Sequence, residues 1–593
     1  MSRVALRPLA AGLLFIFSTA VAAEQPIIVT ATRTAQIADE SLAPVIVIDR
    51  TQIEQSQATD VAELLRGHAG LDIGRNGGPG QPTSLFMRGT DSNHVLVMVD
   101  GVKINPGTIG GAALQNVDPD LIDRIEIVKG PRSALYGSEA VGGVINIITR
   151  RATTGLDGNV YLGAGRYATR KTGGGVHKGG DAYRAGIDVG YTKTNGFPTR
   201  TTSAIASGYD NRSLNLYLGK HLGGVDLELS HWQAGGTTDY LDYTLAPLSQ
   251  DYANRVTALK VNAAPQDNWT TTLRLSRAVD DIDQNQSSDF AHTRRDSMDW
   301  QNDLQLTVAQ LLTAGLYASR DHASSSIFGS GFDETIDVAA LYLQDDVTVG
   351  QHRILVAARH THHDAFGGRT TWDAEYGYHF TPRTRVSAAV GTAFRAPDAT
   401  DRFGYGGDPN LQAETSRNIE LGLHHRFNAR QSMALSAFDN RIKNLIEYDL
   451  ASSKLMNVGR ARIRGIEASY DIQTRPWGAH LEAIAQNPKD EVSGETLARR
   501  AKHSFTASVF YDLGRYRLGA DWLATGRRKD SAFSTIYNAG YGLLNLTALM
   551  HINQQWTLQG RVENATDKRY TLADGYNTAG RSLYVELRYG YKD

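Results

Sequence analysis

The chain has 593 residues, enough for two to four ordinary domains, and its 61 Lys and Arg nearly cancel 63 Asp and Glu. That balance gives no bulk affinity for nucleic acid. The absence of cysteine excludes disulfides, thiolate metal sites and thiol catalysis, while 59 Gly and 26 Tyr against 16 Phe lean towards strands and turns.

Residues 1–23 read as an export signal. Arg3 and Arg7 form a positive start, Leu9 to Phe17 a short apolar core, and "TAVAA" a small-residue cleavage site near Ala23. The apolar run is too short to span a bilayer core of roughly 30 Å. No later stretch offers a long uncharged apolar run. The exported protein is therefore either soluble or a membrane β-barrel, whose strands escape hydropathy because lumen-facing residues are polar.

Behind the signal, "PIIVTATR" is an isolated β-branched peptide. Residues 34–153 then have the texture of a compact α/β unit. "VIVIDRTQIEQSQATDVAELLRGHAGLDI" predicts a strand, two short helices and a strand, with Thr59 or Asp60 capping the second helix and Gly67 ending it. "HVLVMVDGVKIN" predicts a hairpin turning at Asp100-Gly101.

From residue 154 to 593, alternating segments of about ten residues repeat, separated by Gly, Asn and Asp. In "SLYVELRYGY", Leu583, Val585, Leu587, Tyr589 and Tyr591 share one face, and Tyr584, Glu586 and Arg588 the other. In "SLNLYLGKHL", Leu214, Leu216 and Leu218 oppose Asn215 and Tyr217. At about 20 residues per strand and turn, the region accommodates about 22 strands, the size of plugged outer-membrane transporters.

Long ordered motifs carry a resemblance. "SLFMRGTDSNHVLVMVDGVKIN" and "IEIVKGPRSALYGSEAVGGVINIITR" resemble the plug domain of TonB-dependent outer-membrane receptors. "GTAFRAPDATDRFGYGGDPNLQAETSRNIELGL", "LARRAKHSFTASVFYDL" and "VENATDKRYTLADGYNTAGRSLYVELRYG" are similar to barrel stretches of the family's cobalamin (vitamin B12) transporters. The resemblance implies an all-β membrane protein: a 22-stranded antiparallel transmembrane barrel in the bacterial outer membrane, with the N-terminal α/β plug in its lumen. It also implies a monomer among outer-membrane lipids that binds cobalamin outside and is driven by TonB and its inner-membrane energising complex. No G-x-x-x-x-G-K-[ST] pattern occurs, so energy must come from such a partner.

Residue by residue, the resemblance places the TonB-binding segment within 24–33, at Pro26, Ile27, Ile28, Val29, Thr30 and Ala31. An extended peptide there would add a strand to a partner's sheet; read without the family, it could equally be a packed first plug strand. Cobalamin contacts are implied at Asn76, Pro82, Ser84, Asp91, Ile109 and Gly110 in the plug, and at Tyr240, Thr293, Arg499 and Phe533 in the barrel. A corrinoid, with its amide side chains, suits amide, hydroxyl and backbone groups plus apolar contacts. A calcium site in the external loops is implied at Asp210, Asp239, Asp242 and Asp251, in a cluster reduced from the family's pattern, with Pro198 where a further aspartate is expected.

Other readings remain open. A receptor for another corrinoid or an iron–siderophore complex would have the same build. The segment between Pro397 and Asp408 holds no histidine, which argues against haem. His360 and His362 share a strand face, suited to a metal or to a solvated rim. No catalytic triad or paired-carboxylate arrangement is legible, so no enzyme is expected. The plug motifs oppose a passive porin. The last strand ends Tyr591-Lys592-Asp593, without the terminal aromatic usual in such barrels.

Overall fold

The computed structural model describes residues 28–29, 33–34, 36–152, 154–327, 329–449, 452–531 and 534–592. The signal segment, Pro26, Ile27, Thr30, Ala31 and Phe533 lie outside the described residues.

Among the described residues, 22 antiparallel strands close into one barrel, from Gly155–Gly165 to Ser582–Lys592, which pair with each other. The alternation in the sequence sets which side each residue faces. Asn215 and Tyr217 are buried in the lumen, while Leu216 and Leu218 are exposed on the outer wall. In the last strand Leu583, Val585 and Leu587 are exposed in the same way. Among the described residues no helix is long and apolar enough to cross a membrane. The outward-facing leucines and valines form the lipid-facing band, while the closed ladder pairs the backbone of each strand with its neighbours.

The two ends of the barrel differ. Tight turns such as Gly223-Gly224, Gly350-Gln351 and Leu513–Arg515 close one end, where exposed Phe380, Phe427, Trp477, Tyr511, Tyr516 and Trp556 form an aromatic girdle. Longer connections at 195–208, 396–413 and 491–502 crown the other. In outer-membrane barrels short turns face the periplasm and long loops the exterior.

The plug fills the lumen. Its sheet runs in the order Val45–Ile48, Ile122–Lys129, Gly143–Thr149, Val95–Val99, Val102–Lys103, with only the Gly143–Thr149 and Val95–Val99 pair parallel. Asp49 caps the helix Arg50–Ser56 through a capping box with Gln52. Asp60 caps Val61–Arg66 by accepting from the Glu63 amide, and Gly67 ends that helix. Asp100 and Gly101 both take positive φ, 52° and 77°, as a tight type I′ hairpin requires. The plug core of Leu65, Ile73, Val97, Ile125 and Ile145 continues into Trp232, Val256 and Ala278 of the wall.

Smaller apolar clusters, Ala69 and Val141 with Phe438 and Ile463, and Leu135 with Leu355, add to this contact, and ion pairs run beside them. Arg88 donates to Glu467 at 2.6 Å and Glu420 at 3.0 Å, Lys129 to Glu467 at 3.0 Å, and Arg132 to Glu375 at 2.5 Å. These charges are buried and paired, so the plug is held by discrete ionic contacts as well as by apolar area.

Candidate substrate-binding and coupling site

Three plug segments gather under the long loops. The hairpin Leu71–Arg75/Thr83–Met87 carries its apex at 76–82. Beside it, the Leu85 amide donates to Ser92 Oγ at 3.2 Å, tying the hairpin to the turn at 91–94. The third segment, 105–111, is folded back by Asn105, whose amide donates to Gly110 O at 2.8 Å. Asn76 and Pro82 therefore lie at the hairpin apex, Ser84 on the strand leading from it opposite Gly74, Asp91 at the adjacent turn, and Ile109 and Gly110 on the third segment. Pro82 and Ile109 are exposed, and Ile109 is 50% accessible, an apolar side chain offered to the exterior.

The apices are docked on barrel loops. Gln81 donates to Asp239 O at 2.7 Å. Gly80 has φ +73°, and an added Cβ would fall 2.1 Å from the Tyr209 ring. Gly110 packs on Asp398, and the amides of Ala399 and Thr400 donate to Gly107 O and Thr108 O respectively, each at 3.0 Å. Substrate bound on the apices would thus meet loops 195–208 and 396–413 directly.

The barrel-side candidates separate. Arg499 lies against Gly74, with Nε donating to Asp530 O at 3.2 Å. Its neighbour Arg500 instead holds the plug, donating to Asp91 at 2.8 Å and covering Phe86 at 4.7 Å. Burial pushes the Asp91 carboxyl up, but Arg500, His94 and the Ser92 amide outweigh it and hold it well below the usual carboxylate range. Tyr240 is half-buried and donates to Gln284 at 2.5 Å, one residue from the Gln81 contact. Thr293 is 3% exposed and turned inward, accepting from the Thr108 amide at 3.2 Å, so as arranged it is a plug contact rather than a surface facing substrate.

The four aspartates do not assemble into one donor set. Asp239 accepts from the Gly208 amide. Asp242 closes its own turn on Thr244 and Ala246, and the Thr244 hydroxyl holds its carboxyl low. Asp251 accepts from Thr237 at 2.6 Å, and Asp210 borders Gly236. Calcium needs six to eight oxygens around one point. Among the described residues no three of these carboxylates lie within 4.8 Å of one another, so an ion here would need backbone carbonyls or water beside them. His360 and His362 are exposed on the outer wall, with His360 bonded to Thr370 at 2.9 Å.

At the periplasmic side the described part of the expected TonB-binding segment is paired within the chain. Ile28–Val29 forms a two-residue antiparallel ladder with Gln36–Ile37, Ile28 opposite Ile37. Between them Arg33 anchors the chain to the wall. It donates to Asp299 at 2.7 Å and Tyr342 at 2.9 Å, and its guanidinium lies 4.1 Å from the Tyr342 ring centre. Arg33, Arg88 and Arg500 are site residues that spacing did not indicate. Each pairs with a residue hundreds of positions away, and two adjacent arginines in "LARRAK" give no sign of which faces the plug.

Comparison with known proteins matches this architecture. Residues 150–565 match the family model "TonB dependent receptor-like, beta-barrel", and residues 38–144 match "TonB-dependent Receptor Plug Domain". The chain belongs to the TonB-dependent receptors of the bacterial outer membrane, transporters that bind a substrate and work with TonB. It is 29% identical over 97% of both chains to the vitamin B12 transporter BtuB of Photobacterium profundum. Among solved structures it is similar to the FrpB iron transporter from Neisseria meningitidis, with TM-score 0.80, 16% identity, and 92% and 99% of the two chains covered. It is also similar to a point mutant of the ferric enterobactin receptor PfeA from Pseudomonas aeruginosa in complex with enterobactin, with TM-score 0.81, 18% identity, and 92% and 99% covered. At these identities the solved structures establish the fold.

Proposed function

We propose that the protein imports cobalamin across the outer membrane at the expense of work delivered by TonB. The observation that carries this reading is the 29% identity to a vitamin B12 transporter, sustained over 97% of each chain. The iron-related structures share the build at 16–18% identity and do not bear on substrate. The apices agree with a large, amide-rich, flattened ligand: Asn76 and Ser84 offer amide and hydroxyl, and Pro82 and Ile109 apolar contact.

Cobalamin settles on the three plug apices and draws in Arg499 and Tyr240. The same apices are bonded to Asp239 of the strand Val225–Leu241 and to loop 396–413, so occupancy alters how the plug is seated. Ile28–Val29 then leaves Gln36–Ile37, and the segment at Pro26 to Ala31 adds as a strand to TonB. A ladder of two residues holds little, at about 0.5–1.5 kcal/mol per hydrogen bond, so an exchange of strand partners is nearly balanced. Arg33 is the contact that a pull on this segment meets first.

The test is an equilibrium titration of the purified receptor with cyanocobalamin, cobinamide and a ferric siderophore. Saturable one-to-one binding of cyanocobalamin, weakened by Arg499→Ala, is expected. Binding of the siderophore without cyanocobalamin would replace the substrate assignment.

A further inference from the structure

The second plug helix ends at Gly67 and delivers His68 to the barrel wall. Opposite stands the strand Trp477–Asp490, in which His480 and Glu482 are two residues apart and share a face. Glu482 Oε1 lies 3.3 Å from His68 Nδ1 and 2.9 Å from His480 Nε2. All three ligand atoms lie within 4.8 Å of one another, the only such group of three His or carboxylate side chains among the described residues. A tetrahedral ion with bonds of about 2.0–2.1 Å sets its donors about 3.3 Å apart.

The surroundings hold these donors in place. His480 Nδ1 is 2.6 Å from Asp471 Oδ1, the carboxylate–imidazole pairing that fixes a ring with its other nitrogen turned to a metal. Glu482 Oε2 accepts from the Ala69 amide at 2.6 Å, leaving Oε1 as the ligand oxygen. His68, His480 and Asp471 line a cavity of about 380 Å³ between plug and wall, bordered also by Gln52 and Arg517 near the periplasmic end. That space gives an ion a route in and a fourth position for water.

We infer that His68, His480 and Glu482 bind a divalent transition-metal ion of the zinc type, through two imidazoles and one carboxylate. Glu482 and Asp471 balance its double charge. Because His68 belongs to the plug and the other ligands to the wall, the ion fastens one to the other, and plug movement at this point requires ligand exchange. The site lies at the end of the barrel opposite the substrate apices and does not depend on which substrate they bind.

The experiment uses the full chain, tag-free, in detergent and stripped by chelator. Zinc is titrated in, and cobalt is used as an optical probe of tetrahedral coordination. The wild type is expected to bind one ion that His68→Ala and Glu482→Gln do not, and to give intense visible cobalt bands that both variants lack. Asp471→Asn should weaken zinc binding by about 10- to 100-fold. Asp471 is 41% exposed, so this variant keeps the fold and decides the matter should the other two not assemble. Equal stoichiometry and affinity in wild type and Asp471→Asn, or no zinc bound by the wild type, would overturn the inference.

Discussion

Arg88 is the residue whose removal tests how the plug is held. It makes two bonds to Glu467, at 2.6 and 2.9 Å, two to Glu420, at 3.0 and 3.1 Å, and one to Ser436 at 3.1 Å. Its guanidinium also lies 4.6 Å from the Phe438 ring centre. The side chains of Arg88, Glu420 and Glu467 are only 4%, 7% and 11% exposed. Arg88→Met keeps most of the volume but leaves Glu420 with only Ser436 and Glu467 with only Lys129. Breaking a buried pair by removing one partner costs about 3–5 kcal/mol, because the remaining charge is desolvated without compensation. The loss falls on the seating of the plug, since the closed barrel ladder does not pass through Arg88. Amide exchange in the plug strands Val95–Val99 and Ile122–Lys129, read by mass spectrometry, should accelerate by about 10²- to 4 × 10³-fold, while the strand Glu414–Asn428 exchanges as in the wild type. Replacing Glu420 and Glu467 by Gln in the same chain should restore much of the protection. A change below about threefold in Arg88→Met would refute the view that these pairs seat the plug.

Further outcomes follow from the same contacts. Val29→Pro removes a ladder donor and should abolish cobalamin uptake while leaving equilibrium binding within about twofold; wild-type uptake in that variant would remove the TonB-binding role from 26–31. Gly80→Val forces a left-handed β-branched residue into the Tyr209 ring and should weaken cobalamin binding at least about tenfold, or about 1.4 kcal/mol, with the barrel intact. Burial pushes the Asp72 carboxyl up to about 6, outweighing Arg528, the Ala501 amide and Arg500. The folded state therefore binds this proton more tightly than the unfolded chain, so the contribution of Asp72 to plug stability is present at low pH and is lost as pH rises from about 4 to about 6. Asp72→Asn should flatten that dependence and stabilise the plug at pH 7 by up to about 3 kcal/mol in denaturant titrations.

Local chemistry was readable in advance. Asp60 and Gly67 bound a helix because side-chain caps and C-terminal glycine act within four residues. Asp100-Gly101 sets a hairpin because only two residues need positive φ. The alternation around Leu216 and Leu218 survives in the structure because a strand with lipid on one side and lumen on the other cannot slip by one residue without burying its charge in hydrocarbon. The order of the plug sheet was not readable, because Val45–Ile48 pairs with a strand nearly eighty residues later, and its neighbour Gly143–Thr149 pairs both parallel and antiparallel.

The site was legible only in outline. The three plug segments lie together, but of the aspartates assigned to calcium Asp242 bonds its own turn, Asp239 accepts from Gly208 and Asp251 from Thr237, and Thr293 bonds the plug. Carry-over by position fixes a residue's address but not its rotamer or its partner. His68 and Glu482 are 414 positions apart, and the single trace of their meeting is the His480–Glu482 alternation on one strand.

The most direct measurement of the central claim is uptake of radiolabelled cyanocobalamin by cells whose only cobalamin receptor is this protein, with and without TonB. Accumulation that requires both the receptor and TonB is the predicted result. Accumulation that persists without TonB, or none at all alongside TonB-dependent uptake of a ferric siderophore, would contradict the account.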